Sequence, residues 1–274
     1  VANGNVTPED HLWGPRDYFK GDYYSTAPAH FASEIGYHGC PSPESLAKFI
    51  PEDSLWPWDN DAWRVHSASP ERSKHAPYAY RNPLMASQVR TLFGHEPDNL
   101  EDFARASQIS QAEAKKFFIE RFRMGKWRRT GIIWWNLIDG WPQISDAIVD
   151  YYGCRKLAYQ YIKRSQQPVC LMFGEPDNSG IMTLWGVNDT QSDVEIEYNV
   201  TELDRDLVYH TGVATLPANS SVKIWEMKYE AGTQRFILMS WRGGAEGKNH
   251  HMTGMPGIDY KIYTKLARRA GYKF

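Results

Sequence analysis

The hydrophobic pattern of this chain changes period at Gln166-Gln167-Pro168, and the change decides between fold classes. Before it, apolar segments long enough for helices alternate with short apolar runs that are typical of buried strands. After it, the helical period disappears, and short apolar runs are separated by Gly, Asn and Asp. The sequence therefore predicts an α/β part at residues 1–165 and an all-β part at residues 166–274.

The beginning of the first part is predicted to be mostly irregular. Residues 1–30 are rich in Gly, Pro, Asp and Tyr without a period and are expected to form a loop. A short buried strand is predicted over Ala29–Gly36, and a helix over Pro43–Ile50 with Ser42 as its N-cap. Residues 51–80 place tryptophans among prolines and acids, which predicts a long irregular segment.

The remaining elements of the first part follow the alternation of a parallel α/β unit. Helices are predicted over Pro83–Phe93 and, with Asn99 as its N-cap, over Leu100–Met124. An apolar strand at Gly131–Asn136 then leads through a polar loop to a helix at about Arg155–Lys163.

The second part is predicted to be an antiparallel β-sandwich of roughly 100 residues. Its predicted strands are Val169–Phe173, Met182–Val187, Val194–Val200, Val213–Leu216, Val222–Met227 and Phe236–Trp241. The sequence assigns no element to Asn249–Met252 or to the basic tail Lys261–Lys273.

Composition excludes several functional classes. A net charge of −2, from 31 Lys and Arg against 33 Asp and Glu, gives no basis for binding nucleic acid or an anionic membrane. The three cysteines cannot form a disulfide framework and lack metal-ligand spacing, which favours a reducing, cytoplasmic compartment. No apolar run approaches the roughly 18 residues of a membrane span. Since the chain does not begin with Met, we expect a processed chain or a piece of a longer one, and its oligomeric state stays open.

Two strand ends in the first part carry side chains suited to carbohydrate chemistry. Glu34 lies near the end of one predicted strand, followed by Tyr37 and His38, and Trp135 lies near the end of another. In parallel α/β folds, function gathers at the carboxyl ends of strands. A carboxylate there can attack or stabilise an anomeric carbon while an indole stacks on the sugar.

Structural alternatives stay open for these residues. Glu34 could be an ordinary surface glutamate at a strand terminus. Of Trp134 and Trp135, one is expected in the core, because neighbours on a strand point to opposite faces. The 14% of aromatic residues, with 11 Trp, fits sugar-binding surfaces and apolar pockets equally well.

Four groups of motifs carry a family resemblance. In order, they are His11-Leu12-Trp13-Gly14, Phe31-Ala32-Ser33-Glu34-Ile35-Gly36-Tyr37, Gly131-Ile132-Ile133-Trp134-Trp135-Asn136-Leu137-Ile138-Asp139-Gly140-Trp141-Pro142 continued by Asp150-Tyr151-Tyr152-Gly153 and Lys156, and Trp185-Gly186-Val187-Asn188-Asp189 with Asn249-His250-His251. Together they resemble the β-mannosidase branch of glycoside hydrolase family 2. The resemblance implies the C-terminal part of a (β/α)8 barrel, with strands seven and eight, at residues 1–165. It implies an immunoglobulin-like β-sandwich at residues 166–274.

The same resemblance implies a retaining exo-β-glycosidase that hydrolyses terminal, non-reducing β-D-mannosides by double displacement. Glu34 would be its nucleophile, and Trp135 the floor of the −1 sugar subsite. The residues implied to line or rim that pocket are His11, Trp13, Tyr37, His38, Asp139 and Trp141. No metal or cofactor is implied. The acid/base Glu of the family follows an Asn, and because no Asn-Glu dipeptide occurs here, that residue is expected outside this chain.

Departures from the family pattern leave the exact sugar open. Trp134, Asn136 and Ile138 stand where the pattern has Tyr, Gln and Asn. The alternatives are another family-2 specificity (β-galactosidase, β-glucuronidase or exo-glucosaminidase) and a non-catalytic carbohydrate-binding or structural remnant. For each of the enzyme alternatives, the expected partner is a carbohydrate. An unclosed barrel would expose strand edges and an apolar face, so the isolated chain is expected to self-associate.

Overall fold

The computed structural model describes residues 7–14, 18–69, 81–230, 232–254 and 256–274. Residues 1–6, 15–17 and 70–80, which belong to segments predicted as irregular, lie outside this description. Two compact units divide the chain, one with the described residues of 1–118 and 132–162, and the other with 119–131 and 163–273. A mixed α/β organisation with sheets is confirmed.

The first unit contains a sheet with the strand order β1-β2-β3, in which β1 runs parallel to β2. The strands are β1 (Glu9–His11), β2 (Phe31–Gly36) and β3 (Gly131–Trp135). Because β1 and β2 are parallel, their carboxyl ends lie at the same edge of the sheet. Glu34, the candidate functional residue of β2, lies near this edge.

The prediction that residues 1–30 form a loop is wrong in the described part of that segment. Strand β1 and a short helix, α1 (Asp22–Ser25), occur there. A three-residue strand with polar Glu9 and His11 has no apolar alternation, so its pairing with β2 leaves no signal in the local sequence.

Several helices share the first part of the chain with these strands. They are α2 (Pro43–Leu46), a 3₁₀ turn (Glu52–Ser54), α3 (Asp61–Val65), α4 (Arg81–Phe93), α5 (Leu100–Met124) and α6 (Leu157–Ser165). The predicted limits of α5 are confirmed, and its N-cap Asn99 accepts a hydrogen bond from the amide of Asp102 at 2.9 Å. Ser42 caps α2 as predicted, but α2 ends at Leu46 rather than Ile50.

The second unit contains two antiparallel sheets, with strand orders β10-β9-β6-β7 and β4-β5-β8. Their strands are β4 (Val169–Phe173), β5 (Ile181–Asn188), β6 (Val194–Glu202), β7 (Leu207–Leu216), β8 (Ser220–Lys228), β9 (Phe236–Gly243) and β10 (Gly247–Met252). Both sheets bury side chains in one apolar cluster, for example Leu171 and Leu184 from one sheet and Ile196 and Met239 from the other. This shared core stabilises the two sheets together.

Two elements of the second unit were not predicted. Strand β10 includes Asn249–Met252, and the basic tail contains a helix, α7 (Tyr260–Arg269). In α7 the buried Tyr263, Leu266 and Ala267 alternate with Lys and Arg, so the charges conceal an amphipathic helix. Among the described helices, none combines the length and the apolar character needed to cross a bilayer.

Candidate active site

Glu34 lies near the carboxyl end of β2, opposite His11 in the parallel register. The amide of Leu12 donates to the carbonyl of Glu34 at 2.8 Å, which fixes the chain after β1 beside this residue. The side chain of Glu34 is 25% exposed, so its carboxylate is partly desolvated yet accessible. The sheet pairing therefore presents a carboxylate where parallel folds place reactive groups.

Two side chains from the end of β1 hold this carboxylate. The indole Nε1 of Trp13 donates to Glu34 Oε2 at 2.8 Å. Nδ1 of His11 lies 3.1 Å from the same oxygen. Hydrogen bonds to an ionised carboxylate stabilise its charged form and fix its orientation. The structure thus brings His11, Trp13 and Glu34 together.

Gly36 makes room for the indole of Trp13. A Cβ built on Gly36 would lie 2.4 Å from Cη2 of Trp13 and 2.9 Å from Oδ1 of Asp146. Any side chain at this position would collide with the ring that donates to Glu34. The Ser-Glu-Ile-Gly segment is consequently fitted to Trp13 at two positions, the acceptor and the glycine.

Tyr37 and His38 are buried rather than exposed beside Glu34. The Tyr37 ring packs edge-on against Phe19 and Phe118, at centroid distances of 5.9 and 6.2 Å. His38 is fully buried, with Nδ1 3.1 Å from Asp146 Oδ1. Tyr37 therefore contributes to the core, and His38 joins the loop after β2 to Asp146.

Trp135 at the end of β3 is exposed, with 48% of its surface accessible. Its carbonyl oxygen accepts a hydrogen bond from Nζ of Lys115 at 2.5 Å, and the Trp135–Asn136 peptide is cis. The neighbouring Trp134 is half-buried, with Nζ of Lys115 5.7 Å from its ring centroid. The expectation that one of these two indoles lies in the core is therefore wrong, because Trp134 is half-buried and Trp135 is exposed.

Asp139 is buried, whereas Trp141 is exposed. Oδ1 of Asp139 accepts hydrogen bonds from Ser145 at 2.5 Å and Gln143 at 2.7 Å. Burial raises the pKa of Asp139, against the opposing effects of Lys156 and these hydrogen bonds. Asp139 therefore organises the loop after β3 from within.

The ring of Trp141 is 43% accessible and lies 5.8 Å from the ring of His66. Nδ1 of His66 in turn lies 2.8 Å from the carbonyl oxygen of Pro142. A partly exposed indole that packs against a second ring can present its exposed face to a flat ligand.

The sequence analysis quoted Lys156 in a motif but assigned no role to the buried polar groups that connect the loops after β2 and β3. Lys156 donates to the carbonyls of Gly39 at 2.6 Å and Ser145 at 3.4 Å, and burial lowers its pKa. Gln111 donates to the carbonyls of Tyr37 at 3.1 Å and Asp146 at 3.0 Å. In the sequence, the polar residues Gln111 and Lys115 stand one turn apart on the apolar face of α5. This pattern could have indicated buried side chains that bind other segments.

The arrangement suits carboxylate chemistry. A partly exposed carboxylate that accepts a hydrogen bond from an indole and lies beside an imidazole nitrogen can serve as a nucleophile or stabilise a positive charge at an anomeric carbon. Among the described residues, no group of three or more His, Cys, Asp or Glu side chains is placed to hold a metal ion.

Comparison with known proteins gives sequence relatives over most of the chain. An exo-β-D-glucosaminidase of Arthroderma benhamiae is 31% identical over 145 residues, which cover 51% of this chain and 16% of the relative. A β-mannosidase of Capra hircus is 26% identical over 218 residues, or 73% of this chain and 24% of the relative. No model of a known protein family matches the chain.

A solved structure shares the fold. The β-D-mannosidase of Dictyoglomus thermophilum superposes with a TM-score of 0.71 and 24% identity, over 90% of this chain and 29% of that protein. The chain thus spans less than a third of each of these three proteins. In sequence and in fold, it is similar to part of a β-mannosidase.

Proposed function

We propose that this chain, a relative of the C-terminal portion of the β-mannosidase-like proteins of glycoside hydrolase family 2, carries the nucleophile of a retaining exo-β-glycosidase. The proposed substrates are terminal, non-reducing β-D-mannosides. The activity belongs to the whole protein, because the chain spans only 16% and 24% of the two sequence relatives. The relatives support a glycosidase, and several of them are named β-mannosidase.

The observation that carries the proposal is the geometry around Glu34. Its carboxylate lies at the carboxyl end of a parallel strand, is partly exposed, and receives Trp13 and His11 on one oxygen. A merely structural surface glutamate does not require an indole donor fitted over a glycine. These features support Glu34 as the nucleophile.

The chemistry would proceed by two displacements at the anomeric carbon. In the first, a Glu34 oxygen bonds to C1 while the C1–O bond to the leaving group breaks and that oxygen is protonated. In the second, water deprotonated by the same acid/base group attacks C1 and the Glu34 ester bond breaks. The acid/base residue is proposed to lie elsewhere in the whole protein, about 5 Å from Glu34 as in retaining enzymes.

The proposed architecture follows from the two units. The parallel pairing of β1 and β2, with β3 beside β2, fits the last strands of a (β/α)8 barrel at residues 1–165. The two antiparallel sheets around one core fit an immunoglobulin-like sandwich at residues 166–274. On this proposal β1 is a barrel strand that precedes the two expected from the sequence.

We assign substrate contact to the exposed members of the site. Trp135 is proposed as the floor of the −1 subsite, with Trp141 beside the same sugar, while Trp13 and His11 contact the carboxylate of Glu34. The buried Asp139, Tyr37 and His38 support the loops instead of touching substrate, because their side chains lie inside the unit. Aromatic faces bind the apolar faces of pyranose rings while the polar neighbours orient the hydroxyl groups.

The proposal is tested on the whole protein with a panel of nitrophenyl glycosides. We expect the β-mannoside to have the highest kcat/KM, and a preference for the β-galactoside would contradict the proposed specificity. Glu34→Gln should lower kcat by roughly a thousandfold or more, because the bond to C1 cannot form. A twofold loss would remove Glu34 from this role. Glu52→Gln, an exposed glutamate of the 3₁₀ turn, is the matched control.

Chemical rescue separates a nucleophile from a structural carboxylate. In Glu34→Ala, azide can enter the vacated space and attack C1 while the aryl oxide leaves, giving a glycosyl azide of inverted configuration. Recovery of turnover with this product supports the nucleophile role. Unchanged turnover in azide, with a folded variant, counts against it.

An exo-β-D-glucosaminidase is the second candidate, because the relative with 31% identity carries that name. The two candidates differ in the substituent at C2 of the sugar, an amine in glucosamine and an axial hydroxyl in mannose. The same panel decides between them when it includes nitrophenyl β-D-glucosaminide. A higher kcat/KM on that substrate than on the β-mannoside would replace the first proposal by the second.

A further inference from the structure

Both donors that reach Glu34 meet the same carboxylate oxygen. Nε1 of Trp13 lies 2.8 Å and Nδ1 of His11 lies 3.1 Å from Oε2. Within the described residues, no donor is placed on Oε1. Among the described residues, the contacts to the carboxylate are therefore asymmetric, because both fall on Oε2.

A register shift between β1 and β2 creates this arrangement. Asp10 pairs with Ala32, but the next residue, His11, pairs with Glu34, so Ser33 is the extra residue of a bulge. The Ser33 hydroxyl donates to Oε1 of Glu9 and approaches the carbonyl of Asp10 at 3.4 Å. Bulges of this kind redirect side chains, and here the shift sets His11 beside Glu34.

His11 lies between two carboxylates. Its Nδ1 faces Glu34, and its Nε2 lies 3.7 Å from Oε1 of Glu9, within ion-pair distance when the ring is protonated. Since Glu9 is itself bonded by Ser33, the ring has a fixed neighbour on its far side. Contacts thus connect Ser33 with Glu9, Glu9 with His11, and His11 with Glu34.

We propose that His11, held by Glu9, is a positioning residue that together with Trp13 fixes Oε2 of Glu34 and leaves Oε1 as the oxygen that bonds to the sugar. This inference rests on the proposed function and deepens it. It assigns different tasks to the two oxygens of one carboxylate. It also gives Glu9, which no motif singled out, a part in the reaction.

The two displacements would depend on His11 to different extents. When Oε1 bonds to C1, Glu34 loses its negative charge, and the hydrogen bonds at Oε2 weaken. When the C1–Oε1 bond breaks, the electron pair returns to the carboxylate, and the N–H groups of His11 and Trp13 stabilise the returning charge. Loss of His11 should therefore slow the second displacement more than the first.

The test uses the whole protein and an aryl β-mannoside with a very good leaving group, which makes the second displacement rate-limiting. His11→Ala should lower kcat by about tenfold to a hundredfold, the effect of one hydrogen bond to a charged group, and should also lower KM. A burst of released aryl oxide should accompany it. His11→Asn, whose side-chain amide can donate from a position near Nδ1, should recover most of kcat.

Other outcomes overturn the inference without touching the proposed function. If Glu34→Gln abolishes turnover but His11→Ala changes kcat less than twofold, His11 does not position the nucleophile. A rise in KM at unchanged kcat would make His11 a ground-state substrate contact instead. Should Glu34→Gln itself stay active, the proposed function fails first and this inference falls with it.

Two further measurements do not depend on the stability of His11→Ala. Glu9→Gln keeps an acceptor for Ser33 but removes the charge beside His11, so it should show the same combined fall of kcat and KM, to a smaller extent. A crystal structure of the ester trapped with a 2-fluoro mannoside should show Oε1 bonded to C1 and Oε2 within hydrogen-bond distance of Trp13. An ester through Oε2 would overturn the assignment.

Discussion

The ring of Trp13 occupies the space that a side chain at Gly36 would fill, with Cη2 2.4 Å from the position of a Cβ. Gly36→Ala should therefore displace the indole and remove its hydrogen bond to Glu34. We expect at least a tenfold fall in kcat/KM of the whole protein on its best glycoside, and a loss of about 1–3 kcal/mol in stability from overpacking.

The matched control for this glycine is Gly140→Ala. Nothing lies within 4 Å of a Cβ built at Gly140, so this variant should keep both activity and melting temperature. If Gly36→Ala retains full kcat/KM in a folded protein, the indole is not needed where the structure places it.

Trp135→Ala should reduce activity and leave the protein folded. The side chain is 48% exposed, so about half of its surface is buried, and its removal should destabilise the protein less than removal of a fully buried tryptophan. On the proposed stacking role, kcat/KM should fall by at least tenfold. Trp127→Ala, which removes another highly exposed indole, serves as the control and should leave kcat/KM unchanged. Equal effects of the two substitutions would argue against a sugar platform at Trp135.

The three cysteines should react with thiol reagents at very different rates. Cys154 is exposed, whereas Cys40 and Cys170 are buried. Burial raises the pKa of Cys40 to about 12, so almost no thiolate is present at neutral pH. Mass spectrometry after brief alkylation of the folded protein should find Cys154 modified and the other two unmodified. Cys154→Ser should abolish the fast phase, and rapid labelling of Cys40 would contradict its burial.

Glu202 should contribute to acid sensitivity of the second unit. Its carboxylate is buried, and burial by itself raises the pKa of Glu202. The hydrogen bonds from Arg205 and Tyr209, together with the charge of Arg235, have the larger effect. The pKa of Glu202 is therefore lowered from 4.5. A lowered folded-state pKa gives stability that is present above pH 4.5 and is lost as pH falls through the folded-state pKa.

Denaturant unfolding at several pH values measures this contribution. Glu202→Gln should be less stable than the parent at neutral pH, and the difference should shrink as pH falls below 4.5. Glu226→Gln, on an exposed strand position, should follow the parent curve. A difference that stays constant with pH would mean that the charge of Glu202 is not what stabilises the fold.

Asn249 should be important for the core of the second unit. It is fully buried and donates to Oε1 of Glu120 at 2.6 Å and to the carbonyl of Leu171 at 2.9 Å. Asn249→Ala should destabilise by about 2 kcal/mol or more, because buried acceptors lose a donor. In a double-mutant cycle with Glu120→Gln, the losses should be less than additive. Strict additivity would show that the two side chains do not interact.

The elements that the sequence predicted best are those with strong local signals. Leu100–Met124 has a helical period, a capping Asn99 and a following glycine, and its limits agree with the structure. The strands of the second unit were also found, although β6 and β7 extend further than their apolar cores. Apolar periodicity alone therefore locates an element better than it locates its ends.

The parts of the site that the sequence missed depend on contacts between distant segments. The pairing of His11 with Glu34 joins residues 23 positions apart through a strand that has no apolar pattern. The side-chain amide of Gln111 donates to the backbone carbonyls of Tyr37 and Asp146, which lie near it only in the folded loops. The burial of Tyr37, which follows β2, could have been predicted, because an extended chain places residues three positions apart on opposite faces.

Residues 119–131 group with residues 163–273, so the module that contains the two antiparallel sheets is assembled from two stretches of sequence. A fragment cut at Gln166 would lose Arg123, which donates to Asp189 at 2.7 Å, as well as the Glu120 acceptor of Asn249. A fragment made by this single cut and fused to another protein would thus lack the helical turns of residues 119–131, which belong to the same unit. Nascent chains, likewise, can complete it only after the whole intervening loop-and-helix stretch has been synthesised.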